Sequence, residues 1–358
     1  MAAAGAAAEA AAIAAVAAGD KQESMRSFEM RPTFVRLSTI TCLCLSAAAV
    51  AAGQSSVTPT RRTATRVDRA RAQTVKTFDT AAHAADALID AADRFDVGAL
   101  VTLFGRGYED VVLSGEYAQD RQRAKQFVAA AREKKTVSID PVSKTRAFLL
   151  VGQDDWPFPV PIVKRGDLWA FDADAGRGEV RNRRIGSNEL DAIAICRGYV
   201  EAQHAYALQP REGYDVNQYA QRVISTPGTQ DGLAWQNDDG TWEGPVGEKV
   251  ARAIEQGYAA GEPYHGYFFK VLTRQGPAAP LGEIDYVIKG AMIGGFALVA
   301  APAEYGVTGL KTFIVSHDGV VFQRDFGPRT LDAFSAMERF NPDRSWTRVA
   351  DQAEAARR

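Results

Sequence analysis

Histidine is scarce in this chain: His83, His204, His265 and His317 are the four present in 358 residues. None lies at metal-ligand spacing from another, so no histidine-built metal site is expected. Cysteine is scarcer still, with three residues. Cys42 and Cys44 fall in an N-terminal apolar run that reads as removed, which leaves Cys196 alone and a mature chain with no intrachain disulfide. Cys196 itself reads as a small buried residue on a helix. An excess of charge of either sign is missing too: the net charge is −2, which offers no bulk attraction to nucleic acid. Familiar catalytic signatures are missing. The chain contains no G-x-S-x-G, S-x-x-K, H-E-x-x-H, C-x-x-C or Walker loop. Gly105-x-Gly107 and Gly176-x-Gly178 lack the third glycine of a dinucleotide fingerprint and are read as lacking its strand-turn-helix setting. No cofactor is expected.

What is present begins with a leader. Residues 1–24 are mostly alanine and read as a low-complexity extension upstream of the functional start. Residues 25–53 have the parts of a secretory signal peptide: Arg26, Arg31 and Arg36, an apolar stretch over Leu37–Val50, and an A-x-A site at Ala49-Val50-Ala51. The apolar stretch is short for a membrane span. The expected location is therefore periplasmic or secreted, with an uncleaved membrane anchor as the rival. Residues 54–76 form a basic linker with Arg61, Arg62, Arg66, Arg69, Arg71 and Lys76 against Asp68. It reads as a solvated tether or as a peripheral contact with an anionic surface.

The rest divides into two α+β units and a charged tail at 350–358. In the first, 77–186, Phe78-Asp79-Thr80 reads as staple and N-cap of a helix through Leu88, Ile89 and Ala92. Further helices are expected at Val97–Phe104 and Glu116–Lys135, then strands at Thr145–Val151, Phe158–Lys164 and Leu168–Asp172, with a tight turn at Arg165-Gly166-Asp167. In the second, 187–349, Ser187 or Asn188 caps a helix whose apolar stripe is Ala192, Ile195, Tyr199, Ala202 and Tyr206. Short helices are expected at Tyr219–Ile224 and Gly247–Ala259, with a loop region starting at Arg211–Tyr214. An antiparallel meander follows: His265–Arg274, Phe296–Ala300, Leu310–Ser316 and Val320–Phe322, with a hairpin turn at His317-Asp318-Gly319. A last amphipathic helix would carry Leu331, Phe334, Met337 and Phe340.

Two fold resemblances follow from these patterns. The run VKRGDLWAF is similar to the closing hairpin of nuclear transport factor 2-like cone domains, which implies helices on a curved antiparallel sheet. The helix followed by FALVAAPAEYGVTGLKTFIVSHDGVVF resembles type IV pilin-like globular domains, although the helix starts polar and follows a whole domain, unlike a pilus-forming chain. Several blocks in order resemble one bacterial family, domain of unknown function 2950. They are Phe78-Asp79-Thr80, Asp154-Asp155-Trp156-Pro157-Phe158-Pro159, Asn182-Arg183-Arg184-Ile185-Gly186, Ala220-Gln221-Arg222 with Ser225-Thr226-Pro227-Gly228, Tyr264-His265-Gly266-Tyr267, and Pro302 through Gly309. The resemblance implies a secreted or periplasmic protein and carries no catalytic residues with it.

Site candidates come from residue chemistry alone. Asp154 and Asp155 beside Trp156 could supply an acid if the indole desolvates one of them, or they could be an Asx turn before Pro157. Arg181, Arg183 and Arg184 could clamp an anion, or they could pair with Glu179, Glu189 or the two aspartates and join the units. The reading these candidates support is an exported, non-catalytic cell-envelope binding or assembly module whose partner is an envelope component or protein. The alternatives are a periplasmic hydrolase using Asp154 or Asp155 with Arg183, and a scaffold without a small-molecule ligand.

Overall fold

The computed structural model describes residues 75–210, 216–255 and 262–350. The extension, the signal segment, the linker before Val75, the Arg211–Tyr214 loop and the tail after Ala350 lie outside the described residues. Among the described residues no helix is long and apolar enough to cross a membrane. The class is α+β, with helices alternating with sheets that are antiparallel save for one short parallel pair.

In the first unit, α1 (Ala81–Asp93) begins where Thr80 Oγ1 accepts the His83 N–H at 3.1 Å, which satisfies one orphan donor of the first turn. Helices α2 (Val97–Phe104), α3 (Glu109–Val112) and α4 (Tyr117–Glu133) follow. The sheet then forms from β1 (Lys135–Ile139), β2 (Arg146–Val151), β3 (Trp156–Pro157), β4 (Ile162–Arg165) and β5 (Leu168–Phe171) in the order β1-β2-β4-β5, with β3 on β2. Along β2, Ala147, Leu149 and Val151 are buried while Arg146 and Phe148 face out, the period of a half-covered sheet. The core joins Leu88, Leu103 and Phe104 to Leu149, Ile162 and Phe171.

Two expectations fail locally. The third helix stops at Glu133, and Lys135 opens a strand through the β-branched Thr136, Val137 and Ile139. The strand expected over Phe158–Lys164 begins only at Ile162, because Pro159 and Pro161 lack the N–H a ladder needs.

The largest correction concerns the next helix. α5 (Ala173–Ala207) is 35 residues long, about 52 Å at 1.5 Å per residue. It starts at Asp172, whose Oδ1 accepts the Ala175 N–H at 3.3 Å, and runs straight through the expected start at Ser187. Gly176, Gly178 and Gly186 make the first half a poor helix by propensity; tertiary contact overrides this. Gly176 follows a strand and opens a helix, yet its role is packing. A Cβ there would lie 2.7 Å from Val160 Cα.

The second unit hangs on the far half of α5. Its main sheet is β9 (Tyr267–Leu272), β14 (Ala297–Pro302), β15 (Thr312–Ser316), β16 (Val321–Arg324) and β17 (Thr347–Arg348), in the antiparallel order β17-β16-β15-β14-β9. Every residue of β14 and β15 is buried. α5 packs on both strands and α7 (Thr330–Ala336) also packs on β14, which explains strands that are apolar throughout instead of alternating. Between β9 and β14 lie two short pairs, β10 (Arg274–Gln275) with β11 (Ile284–Asp285) and β12 (Val287–Ile288) with β13 (Ala291–Met292). The hairpin turn closes with the Gly319 N–H on Ser316 O at 2.9 Å and Gly319 at φ 73°.

A smaller sheet holds β6 (Arg222–Ile224), β7 (Gly232–Gln236) and β8 (Trp242–Glu243), and α6 (Gly247–Glu255) follows. The helix expected over Tyr219–Ile224 is absent. Instead, the buried Gln203 side chain donates to Ala220 O and accepts the Ala220 N–H, both at 2.8 Å. That satisfies the backbone without a helix. The expected continuation of α6 to Ala259 lies outside the described residues. The last amphipathic helix ends at Ala336, and Phe340 is buried beyond it beside Gln275.

Two paired substitutions test the packing of α5. Gly176→Ala should lower stability by about 1–3 kcal/mol through overpacking against Val160. Gly178→Ala, where nothing lies within 4 Å of the added carbon, should raise it by about 0.5–1 kcal/mol through helix propensity. Urea denaturation of the two variants reads both signs. Cys196 is fully buried and burial pushes its thiol up to about 12, so peptide mapping should find Cys196 unlabelled by thiol reagent in the folded chain and labelled in urea.

Candidate functional site

The residues singled out from sequence separate into an outer rim and an inner seam. At the rim, Asp154 is exposed and Asp155 sits in an exposed turn at φ 51°. Asp155 Oδ2 is 2.7 Å from Lys134 Nζ, at the end of α4. Trp156 is 43% exposed, and Arg183 lies over its ring, 4.6 Å from the centroid. Arg183 is held on two further sides: its Nε donates to Glu179 Oε1 at 2.6 Å and its Nη1 to Pro157 O at 2.8 Å. Arg181 is exposed. The structure thus gathers Trp156, Arg183 and Asp155 on one rim and leaves both aspartates facing solvent.

Arg184 goes the other way. It is buried, and its Nη2 donates to the carbonyls of Asp110 and Leu113. Burial holds its guanidinium below the usual range, while Asp120, Asp110 and Glu116 nearby counter that. Arg184 therefore caps the α3 segment. Of the partners weighed for the three arginines, Glu179 does pair with Arg183. Glu189 instead accepts the N–H groups of Leu310 and Lys311 at 2.9 and 3.0 Å.

Arg184 also marks the edge of a cluster the sequence reading missed. On α5, Arg184, Asn188 and Asp191 are buried polar residues. Their spacing continues backwards the stripe of Ile195, Tyr199, Ala202 and Tyr206, so one helix face changes from polar to apolar along its length. Around this polar stretch the two units meet. Glu116, at the N-terminus of α4, accepts the His265 N–H at 2.6 Å and also the Gly266 N–H. His265 Nδ1 lies 2.5 Å from Asp191 Oδ2. Arg123 donates to Asn188 Oδ1 at 3.1 Å, and the Asn188 amide donates to Thr308 O at 2.9 Å.

The backbone explains why a carboxylate sits there. His265 and Gly266 both have left-handed backbones, φ 49° and 76°. Successive left-handed residues turn two N–H groups toward one acceptor, making an anion-holding concavity. Gly266 is required in that conformation and also by space, since a Cβ would lie 2.4 Å from Asn188 Nδ2. Burial of the Glu116 carboxyl pushes it above the usual carboxylate range, while His265, the two N–H groups and Arg123 pull it back. A signal was available: the polar residues Arg184, Asn188 and Asp191 fall on the extrapolated apolar stripe, where a solvated helix face would not put them. Among the described residues no three His, Cys, Asp or Glu are grouped to hold a metal ion.

These features define an α+β protein of two sheet-bearing units joined by one helix and a buried ionic seam. The family described as "Protein of unknown function (DUF2950)" matches residues 75–349. The chain belongs to that family, and every element named above, rim and seam included, lies inside the match. No curated protein and no solved structure matches the chain.

Removing the acceptor at the seam should be expensive. Glu116→Ala leaves two buried backbone donors without their partner and is expected to lower stability by about 2 kcal/mol. Glu116→Gln, which keeps a carbonyl acceptor, should lower it by less. Urea midpoints with unchanged slopes would establish the ranking.

Proposed function

We propose that the chain is an exported, non-catalytic binding or assembly module of the cell envelope, recognising its partner through the Trp156–Arg183 rim. The observation that carries this reading is the rim itself. A part-exposed indole is stacked under a guanidinium that three contacts immobilise, with a carboxylate and an ammonium beside it. Rigid aromatic and arginine side chains give contact area with little loss of side-chain freedom, which suits them to recognition. Planar stacking with flanking charge matches the chemistry of glycan and short peptide components of an envelope polymer. The linker over residues 54–76, with its Arg61–Lys76 charges, would tether the folded part and add peripheral attraction to an anionic surface.

The hydrolase reading asks for a carboxylate in a desolvated concavity. Asp154 and Asp155 face solvent, and Asp155 is paired with Lys134, which favours the binding reading over it. In the scaffold reading the seam would be the whole purpose of the molecule; here it serves to hold the rim steady.

Co-sedimentation of the full chain with insoluble cell-wall polymer tests the proposal. Trp156→Ala and Arg183→Ala should each weaken binding by roughly tenfold, the scale of a desolvated cation–π contact. Binding that survives both substitutions unchanged would remove the rim from the reading, and failure of the wild-type chain to bind polymer, lipid or envelope protein would remove the reading itself.

A further inference from the structure

The sheet of the first unit has two ends, and the rim occupies one of them. Trp156 pairs with Val151, the last residue of β2. At the other end of β2, Arg146 pairs with Val163 of β4. Beside it the Lys164 N–H donates to Thr145 O at 2.8 Å, which ties the turn between β1 and β2 to the turn between β4 and β5. The two turns make one tip. At about 3.3 Å per residue, β2 holds tip and rim roughly 17 Å apart.

The tip shows aliphatic side chains where turns are usually polar. Val142 is 90% exposed, Ile139 at the end of β1 49% and Leu168 at the start of β5 39%. Cations surround them. Lys144, Arg146, Lys164 and Arg165 are all exposed, and among the described residues none of them is paired with a carboxylate. The acids at this end are fewer. Asp140 is taken up by its own turn, accepting the Val142 N–H at 3.0 Å and the Ser143 O–H at 2.8 Å, and Asp167 is exposed beside Gly166. Free cations by themselves would suit any polyanion. The aliphatic side chains narrow the choice, because they gain only where hydrocarbon lies behind the anionic charge. Leu281 is exposed to the same degree, 89%, but is followed by Glu283 and Asp285, so it lacks the cationic setting.

We propose that this tip is a peripheral membrane contact, resting on an anionic lipid surface. Val142 enters below the headgroups, with Ile139 and Leu168 at their level. Lys144, Arg146, Lys164 and Arg165 lie among the phosphates, their apolar stems running alongside the aliphatic groups and their charges turned back toward water. Aliphatic insertion and cationic attraction are each weak alone and add when they share one surface. The basic residues of 54–76 would approach the same surface and supply a further signal. A tip seated on lipid holds the opposite end of the sheet away from it. The inference rests on no property of the rim.

Sedimentation of the full chain with phosphatidylcholine vesicles, made with and without phosphatidylglycerol, tests the contact. The chain should bind the anionic vesicles and not the neutral ones, less so as salt is raised. Lys144→Gln and Arg165→Gln should each weaken binding by about fivefold. Val142→Ser removes an aliphatic group without changing charge and should weaken it by about fivefold too. Leu281→Ser should have no effect. Because residues 54–76 carry charge of their own, the tip is read from the ratio of each variant to the wild type. Failure of the wild type to bind anionic vesicles overturns the proposal, and so does binding that all three tip variants leave unchanged. Loss in the two cation variants with none in Val142→Ser, together with equal binding to soluble dextran sulfate, would mean a polyanion patch and overturns it as well. Wall polymer that fails to retain the chain counts against the rim and leaves the vesicle result standing.

Discussion

The turn at His265–Gly266 points two N–H groups away from its own sheet, and a carboxylate from about 150 residues earlier receives both. That contact constrains the rest of the molecule. A buried N–H without an acceptor costs about 1–3 kcal/mol, and a buried carboxylate without donors costs more. Neither group can be satisfied unless the start of α4 and the start of β9 are brought together. They belong to different units with separate apolar cores. The element that sets their distance is α5, which packs against the first unit at Gly176 and against β14 and β15 further along.

The buried face of α5 reads as three segments. Ala173 and Gly176 serve the first core; Arg184, Asn188 and Asp191 serve the seam; Ala192, Ile195, Cys196 and Tyr199 open the second core. An all-apolar stripe would have fused the two cores into one. The polar segment keeps them distinct while still binding them, because each of its members reaches a backbone or charged group elsewhere: Arg184 the carbonyls of Asp110 and Leu113, Asn188 Arg123 and Thr308, Asp191 His265. Buried polar contacts of this kind are directional, so they fix one relative placement where apolar contact alone would tolerate sliding. Glu189, half a turn from that face, repeats the device on Leu310 and Lys311.

Local patterns in the sequence carry much of this fold and almost none of the seam. The capped start of α1 at Thr80, the span of α2, the turn at Gly166 and the hairpin at Gly319 all rest on residues within a few positions of one another, and local chemistry decides them. The meander strands were legible because β14 and β15 are apolar on both faces. The start of α5 was not, since three glycines in its first half argue against a helix and only the close approach to Val160 and the contacts to α3 reverse that. The strand at Arg222–Ile224 was hidden for the same kind of reason: Gln203 supplies the backbone partners of Ala220 from another element. At the rim, Trp156 and Arg183 were named from their residue types, but their stacking depends on α5 being continuous at 183, a position the sequence pattern assigned to no helix or strand. Glu116 was read as the first residue of a helix, and His265 as the edge of a strand within a block shared with the family, with nothing to link the two. Their pairing is a fact of tertiary structure.

Arg183 and Arg184 show how one helix serves both regions. Adjacent helical residues point about 100° apart. Arg183 looks outward to Trp156, Glu179 and the carbonyl of Pro157, and Arg184 looks inward to the α3 carbonyls. The exposed arginine is rigid because its neighbour is buried: a helix anchored at 184, 188 and 191 cannot rotate about its axis at 183. A guanidinium on a loop would lose more freedom on being ordered, whereas this one is already held by the ring, Glu179 and the Pro157 carbonyl. The length and straight passage of α5 through a glycine-rich stretch thus have a physical consequence at the surface. They place a fixed charge over an exposed ring, using the seam as the anchor.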